Sequence, residues 1–278
     1  MSPQIPSIGS LLLDAGKIRA VDAESILRLQ KEQGLLFGDA AKTLGLITEE
    51  DIRHALSRQF DFPFLADADS GLSAELVAAY QPFSEQVEML RAIRSQLMLR
   101  WFVSGHKTLA ITSQGEGEGR SYLAANLAIV FSQLGEKTLL VDADLRRPRQ
   151  HELFNVEQRL GLSDVLAGRV AESSAIVKAP VFRDLSILVA GTLAPNPLEL
   201  ISRGMDACLK RMAAHYDVIL LDTPPGTQGA DAQLLSAKAG GFLLLARQHK
   251  TQLNRMKHIK NLFEASGSVC VGAVISDF

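Results

Sequence analysis

From Lys107 onward the chain repeats one pattern: a short apolar run, a break rich in glycine or charge, then a longer stretch of mixed polarity. The runs are TLAIT (108–112), TLLVDAD (138–144), LSILVAG (185–191), VILLDTPP (218–225), GGFLLLAR (240–247) and VCVGAVIS (269–276). They are rich in Val, Ile and Leu and do not alternate with polar residues, as expected of strands covered on both faces of a parallel sheet. Tyr122–Gln133 and Leu198–Ala214 lie between them and read as helices. Strand, crossover helix and parallel strand in succession predict an α/β fold with a doubly wound, mainly parallel sheet.

The first part of the chain has a different period. IGSLLLDAGKI (8–18) is echoed by FGDAAKTLGLI (37–47), and each copy leads into an amphipathic stretch, RAVDAESILRLQ (19–30) and TEEDIRHALSRQ (48–59). Gly9 aligns with Gly38, Gly16 with Gly45, Ile18 with Ile47 and Gln30 with Gln59. Glycines that follow short helices are natural C-cap positions, and Thr48 followed by Asp51 reads as a helix start. The expectation is a small all-helical module over residues 1–65 and a linker over 66–84, which includes the small, polar stretch ADADSGLSAEL (66–76). The sheet domain then occupies 85–278. It opens with a helix whose apolar positions are Val87, Leu90, Ile93, Leu97 and Leu99, with Glu88, Arg91 and Arg94 along one flank.

Composition narrows the picture only a little. A length of 278 residues suits one medium and one small domain, and 47% hydrophobic with 22% charged residues is ordinary for a folded chain. A net charge of -2 gives no electrostatic case for binding nucleic acid. Cys208 and Cys270 stand alone in apolar surroundings and read as reduced thiols, not as a disulfide or zinc site. No stretch approaches the ~20 apolar residues of a membrane span, and Asp14 and Lys17 break the apolar run that a signal peptide would need. A cytoplasmic protein is expected, with membrane contact made through a partner.

In a doubly wound sheet, ligands sit beyond the carboxyl ends of the strands. Three stretches fall there. In SQGEGEGRSYLAANLA (113–128), Gly115, Gly117 and Gly119 let the backbone curl so that its N–H groups face inward, and the helix behind adds a positive end. Ser121 is placed to reach magnesium. Arg120 stands where such loops carry lysine and keeps the positive charge on a larger, planar fork. In TLLVDADLRRPR (138–149), Asp142 and Asp144 can bind magnesium or take a proton, with Arg146, Arg147 and Arg149 beside them. In YDVILLDTPPGT (216–227), Asp222 follows four apolar residues, the layout of an acid that orients magnesium or its water. The three stretches in this order point to a site for a nucleoside triphosphate.

With those motifs in place, the C-terminal two thirds resembles the bacterial tyrosine kinases of polysaccharide export, relatives of the MinD-like P-loop ATPases. GEGRSYLAANLA, LLVDADLRRP and VILLDTPP match that family's phosphate loop, second aspartate motif and magnesium-orienting strand, and GTLAPNPLELI (191–201) resembles its Pro-Asn-Pro segment. Together with the helical N-terminal module, the chain looks most like the chain-length-determinant tyrosine kinases of exosortase-linked exopolysaccharide clusters. The resemblance implies ATP and Mg2+ as cofactors. It implies that Gly115, Gly117, Glu118, Gly119, Arg120, Ser121 and Tyr122 bind nucleotide, that Ser121, Asp142 and Asp222 hold the metal, and that Asp142, Asp144 and Arg120 carry catalysis. It further implies self-association through Glu88, Arg91 and Arg94 (the E-x-x-R-x-x-R pattern), and a separate membrane chain-length determinant as partner.

Departures accompany the match. Arg120 replaces lysine, and the chain has only Tyr80, Tyr122 and Tyr216, so a tyrosine-rich tail is not expected as phosphate acceptor. Ser276 stands where relatives often place an adenine-reading asparagine. A nucleotide-dependent switch or scaffold that transfers no phosphate to protein is the alternative reading. A MinD/ParA-like positioning ATPase is the third, opposed by Gly115, Glu116 and Gly117 where that group has a second lysine. The helical module resembles the N-terminal domain of type II secretion and pilus ATPases. Ser7 and Leu36 stand where cyclic di-GMP binders of that group carry arginine, which favours protein docking. His106 and His151 read as surface residues.

Overall fold

Each of the six apolar runs forms a strand, and the strands lie side by side in one sheet: β1 (Thr108–Ser113), β2 (Thr138–Asp142), β4 (Leu185–Leu188), β5 (Val218–Asp222), β6 (Gly241–Arg247) and β7 (Val269–Ser276), with a two-residue β3 (Val177–Lys178) preceding β4. The computed structural model describes residues 7–49, 51, 52, 55, 65, 71–179 and 181–277. The sheet order is β3-β4-β2-β5-β1-β6-β7. All pairings are parallel except β3 with β4. β1, β2 and β5 are buried along their whole length, which is why their sequences carry no polar alternation. The register sets Asp142 opposite Asp222 and Ile111 opposite Asp222, so three strand ends meet at one point. β4 stops at Leu188, short of the predicted 191, because the Val189 and Ala190 carbonyls accept the N–H groups of Leu162 and Ser163 instead.

The chain divides into two compact units, Met1–Ala66 and Asp67–Phe278. The first contains α1 (Ile8–Asp14), α2 (Ala20–Gln33) and α3 (Phe37–Thr43) around Leu12, Ile18, Ile26, Ala40, Ala41 and Ile47. The sequence repeat is visible in the backbone. Gly16 and Gly45 adopt φ of 66° and 69°, the left-handed conformation that closes each short helix. The starts match as well: the Arg19 N–H donates to Asp22 and the Thr48 N–H to Asp51. Burial pushes the Asp51 carboxyl up, but the Thr48 N–H, Lys17 and the Thr48 hydroxyl outweigh it and bring it down to about 2. Gln59 of the repeat and residues 66–70 of the expected linker lie outside the described residues.

From residue 71 that linker reading does not hold. Leu76, Ala78 and Ala79 are fully buried in the second unit, where α4 (Val77–Tyr80) packs. Asn126 fixes this segment, accepting the Ala78 N–H at 2.9 Å and donating to the Glu75 carbonyl at 3.0 Å. The apolar residues LVAAY (76–80) outweigh the small, polar stretch ahead of them, since burying a leucine contributes about 2 kcal/mol. Next come α5 (Glu85–Arg100) and, after β1, α6 (Arg120–Ser132), buried on nearly every face. α6 starts two residues earlier than predicted, behind Gly119 at φ 93°. A single turn, α7 (Gln150–Leu153), follows β2. Among the described residues no helix is long and apolar enough to cross a membrane.

Candidate phosphate-binding site

The loop between β1 and α6 is fixed from within. Gly117 and Gly119 take φ of 65° and 93°, a region closed to most side-chain-bearing residues. The buried Glu118 carboxylate accepts the Gly115 N–H at 3.0 Å. At the stem, the Ser113 carbonyl accepts from Gly226 N–H at 2.8 Å and the Gln114 carbonyl from the Thr227 hydroxyl at 2.8 Å.

Arg120, the first residue of α6, is buried. Its Nε donates to the Thr223 carbonyl at 2.9 Å, and its Nη1 to the Ser113 hydroxyl at 2.6 Å and the Gly115 carbonyl at 2.7 Å. A guanidinium has five N–H groups. The two on Nη2 face Asp144, whose carboxylate lies 4.0 Å away. One side of the guanidinium thus ties the loop to β1 and to the end of β5, while the other points toward an acidic group. A lysine ammonium, with all its donors on one atom, cannot divide itself in this way.

Beside it stand two buried carboxylates in register across β2 and β5. Asp142 accepts the N–H groups of Arg149 and Gln150, both at 2.8 Å, and of Asp144 at 3.3 Å. Burial, then the charge of Asp222, raises its pKa well above the ordinary carboxylate range despite those donors. Burial also raises Asp222, to about 6, although Gln150, Ser121 and Arg120 pull it down. Gln150 donates to Asp222 at 2.8 Å, and the other Asp222 oxygen has no hydrogen-bond partner among the described residues. Asp144 is raised by burial as well, against the N–H of Arg147, the charge of Arg120 and the N–H of Arg146. Two desolvated acids, one with an unpartnered oxygen, make an electrostatic deficit that a cation would relieve. Among the described residues no cluster of three or more His, Cys, Asp or Glu could hold a metal alone. This donor set fits magnesium, which takes one or two carboxylates and completes its shell with water and phosphate.

Arg120, Ser121, Asp142, Asp144 and Asp222 therefore come together. Tyr122 does not face them: its hydroxyl accepts from Gln86 on α5 at 2.8 Å, and burial followed by the charge of Glu75 pushes it up to about 12. Arg146 pairs with the buried Asp231 at 2.6 Å, Arg147 with Glu116, and Arg149 with Glu75. Arg91 pairs with Glu88, whereas Arg94 donates to the Val130 carbonyl of α6 at 2.8 Å. The Ser276 hydroxyl is buried at 3.5 Å from the Ala246 carbonyl. Cys208 and Cys270 are free thiols. His106 is exposed and stacks on Trp101 with ring centroids 3.7 Å apart. Sequence reasoning missed Gln150 and Asp231, which no local motif marks. It also missed the segment after β6, where Lys250 and Thr251 reach the phosphate loop from more than 130 residues away.

A family model described as an AAA domain matches residues 106–239. The tyrosine-protein kinase YwqD of Bacillus subtilis is 36% identical over 208 residues, which cover 74% of this chain and 87% of that protein. The kinase domain of Escherichia coli tyrosine kinase ETK superposes with a TM-score of 0.72 at 30% identity, covering 76% of this chain and 83% of that domain. The septum site-determining protein MinD of Pyrococcus horikoshii, solved with Mg-ADP, shares the fold at 24% identity and a TM-score of 0.53 over 61% of this chain and 69% of that one. The fold is that of the P-loop nucleotide hydrolases, and the chain belongs to the bacterial tyrosine-protein kinase family.

Proposed function

We infer that this chain is an ATP-dependent protein tyrosine kinase. The observation that carries the reading is the meeting of Arg120 Nη2, Asp144 and the buried Asp142–Asp222 pair behind a preformed glycine loop. The inward N–H groups of the loop and the start of α6 bind the β- and γ-phosphates. Arg120 Nη2 balances charge that develops on the transferred group. Asp142 accepts the proton of the attacking tyrosine hydroxyl, a task suited to a carboxylate whose proton affinity burial and the charge of Asp222 raise. Asp144 sits between Asp142 and Arg120 and steadies both. Ser121, Asp142 and Asp222 would hold magnesium, which supplies charge neutralisation on the phosphates when bound.

The family resemblance extends the reading to control of exopolysaccharide chain length with a separate membrane partner. In that setting the chain is cytoplasmic and held at the inner membrane through the partner, and residues 1–65 serve as a protein-docking module. One observation favours the alternative of a nucleotide switch. Arg120 is already tied by three hydrogen bonds, and a tied guanidinium follows a moving phosphate less readily than a free ammonium.

Asp142→Asn tests the reading, because the amide keeps the shape of the side chain and its one oxygen can still accept the Arg149 and Gln150 N–H groups. Transfer of label from γ-labelled ATP to protein tyrosine is expected to fall at least ~100-fold, with the protein still folded by circular dichroism. Undiminished transfer would remove Asp142 from catalysis.

A further inference from the structure

The segment after β6 has no motif, yet it lies along the phosphate loop. Arg247 Nη1 donates to the Gly117 carbonyl at 3.1 Å. The Lys250 ammonium donates to the carbonyls of Glu116 and Gly117 at 2.8 and 3.2 Å. The Thr251 hydroxyl donates to the buried Glu118 carboxylate at 2.6 Å, and the Gln252 N–H to the Gln114 side chain at 2.9 Å. The segment is itself held in shape. The Arg247 N–H reaches the Thr251 hydroxyl at 2.7 Å, and the Gln248 N–H reaches the Ser276 carbonyl of β7 at 2.7 Å. His249 sits at φ 60°, uncommon for a residue with a side chain.

The consequence follows from peptide geometry. In a trans peptide the carbonyl and the N–H point in opposite directions. Two consecutive carbonyls turned outward onto cations therefore commit the adjoining N–H groups to the inner side of the curl, where an anion would sit. We propose that Lys250, together with Arg247, is a positioning residue for the nucleotide phosphates. It acts by holding the carbonyls of Glu116 and Gly117 outward, and its role rests on the nucleotide-binding reading above. Arg120 secures the base of the loop at Ser113 and Gly115, whereas Lys250 secures its tip. The tip is where Gly117 adopts a left-handed φ and has least intrinsic preference for one conformation.

The test uses the full chain and its Lys250→Met and Lys250→Arg variants. Two readouts are needed: affinity for a fluorescent ADP analogue with magnesium, and hydrogen exchange of amides 115–119 without nucleotide. Lys250→Met is expected to weaken binding about tenfold and to speed loop exchange, with the melting temperature within about one degree of the unsubstituted chain. Lys250→Arg, which keeps the charge and the donors, is expected to restore affinity to within about threefold. Unchanged affinity in Lys250→Met overturns the proposal, whether or not the loop loosens; a looser loop with unchanged affinity marks a purely structural contact. If the unsubstituted chain itself fails to bind, the nucleotide reading falls and this role falls with it.

Discussion

Asp222 shows how one residue can weaken the fold in the service of the site. It is buried, faces Asp142 in register and leaves one carboxylate oxygen unpartnered among the described residues. Burial holds its pKa up at about 6, so the folded chain keeps a proton that the unfolded chain gives up near pH 4. The stability linked to that proton is full below about pH 4 and is lost as the pH rises through about 6. Asp222→Asn removes the ionisation and keeps the acceptor that Gln150 needs. At pH 7.5 without nucleotide the variant is expected to melt about 2–5 °C higher than the parent, with the gap closing toward pH 4. A variant that melts lower at pH 7.5 would show that the carboxylate stabilises the fold. In the first unit the sign is opposite. The depressed pKa of Asp51 contributes stability above about pH 4, and this is lost as the pH falls through about 2.

At the scale of elements, α5 divides its charges Glu88, Arg91 and Arg94 between two tasks. Arg94 is half-buried and donates to Val130 of α6, while Glu88 is exposed and pairs with Arg91, itself half-buried. Gln86 on the same helix reaches Tyr122, the residue after Ser121. Glu88→Ala is therefore expected to shift any oligomer toward monomer in light scattering and leave the melting temperature near that of the parent. Arg94→Ala is expected to destabilise the monomer by about 1–2 kcal/mol in urea, because it removes a charged donor from the carbonyl of the buried Val130. If Arg94→Ala costs nothing in urea, the intramolecular bond is not a support. The periodicity of α5 was legible from the sequence, but the division of labour was not. Three residues spaced three apart share a flank only roughly, and which of them turns inward depends on where α6 lies. The reading of 71–84 as linker failed for a similar reason: its partner Asn126 is about 50 residues away and marked by no pattern.

Taken as a whole, the molecule has two units, each with a hydrophobic core of its own. Calorimetry is expected to resolve two transitions, and magnesium with ADP to raise only the one belonging to the larger unit, since a ligand stabilises the unit that binds it. Equal shifts in both transitions would contradict separate units. The parallel sheet was legible because a strand buried on both faces writes its whole length in Val, Ile and Leu; the two-residue β3, too short to show a pattern, was not. The site was legible where its residues end strands or open α6, as Asp142, Asp222 and Arg120 do. It was not legible where residues outside those motifs close around them, as Asp231, Gln150 and Lys250 do. The most direct measurement is to incubate the purified chain with magnesium and γ-labelled ATP, then count label on protein tyrosine and as free phosphate. Label on tyrosine is predicted, with Arg120 serving in place of lysine. Free phosphate alone, or tight ATP binding without turnover, would contradict the kinase and leave a nucleotide switch.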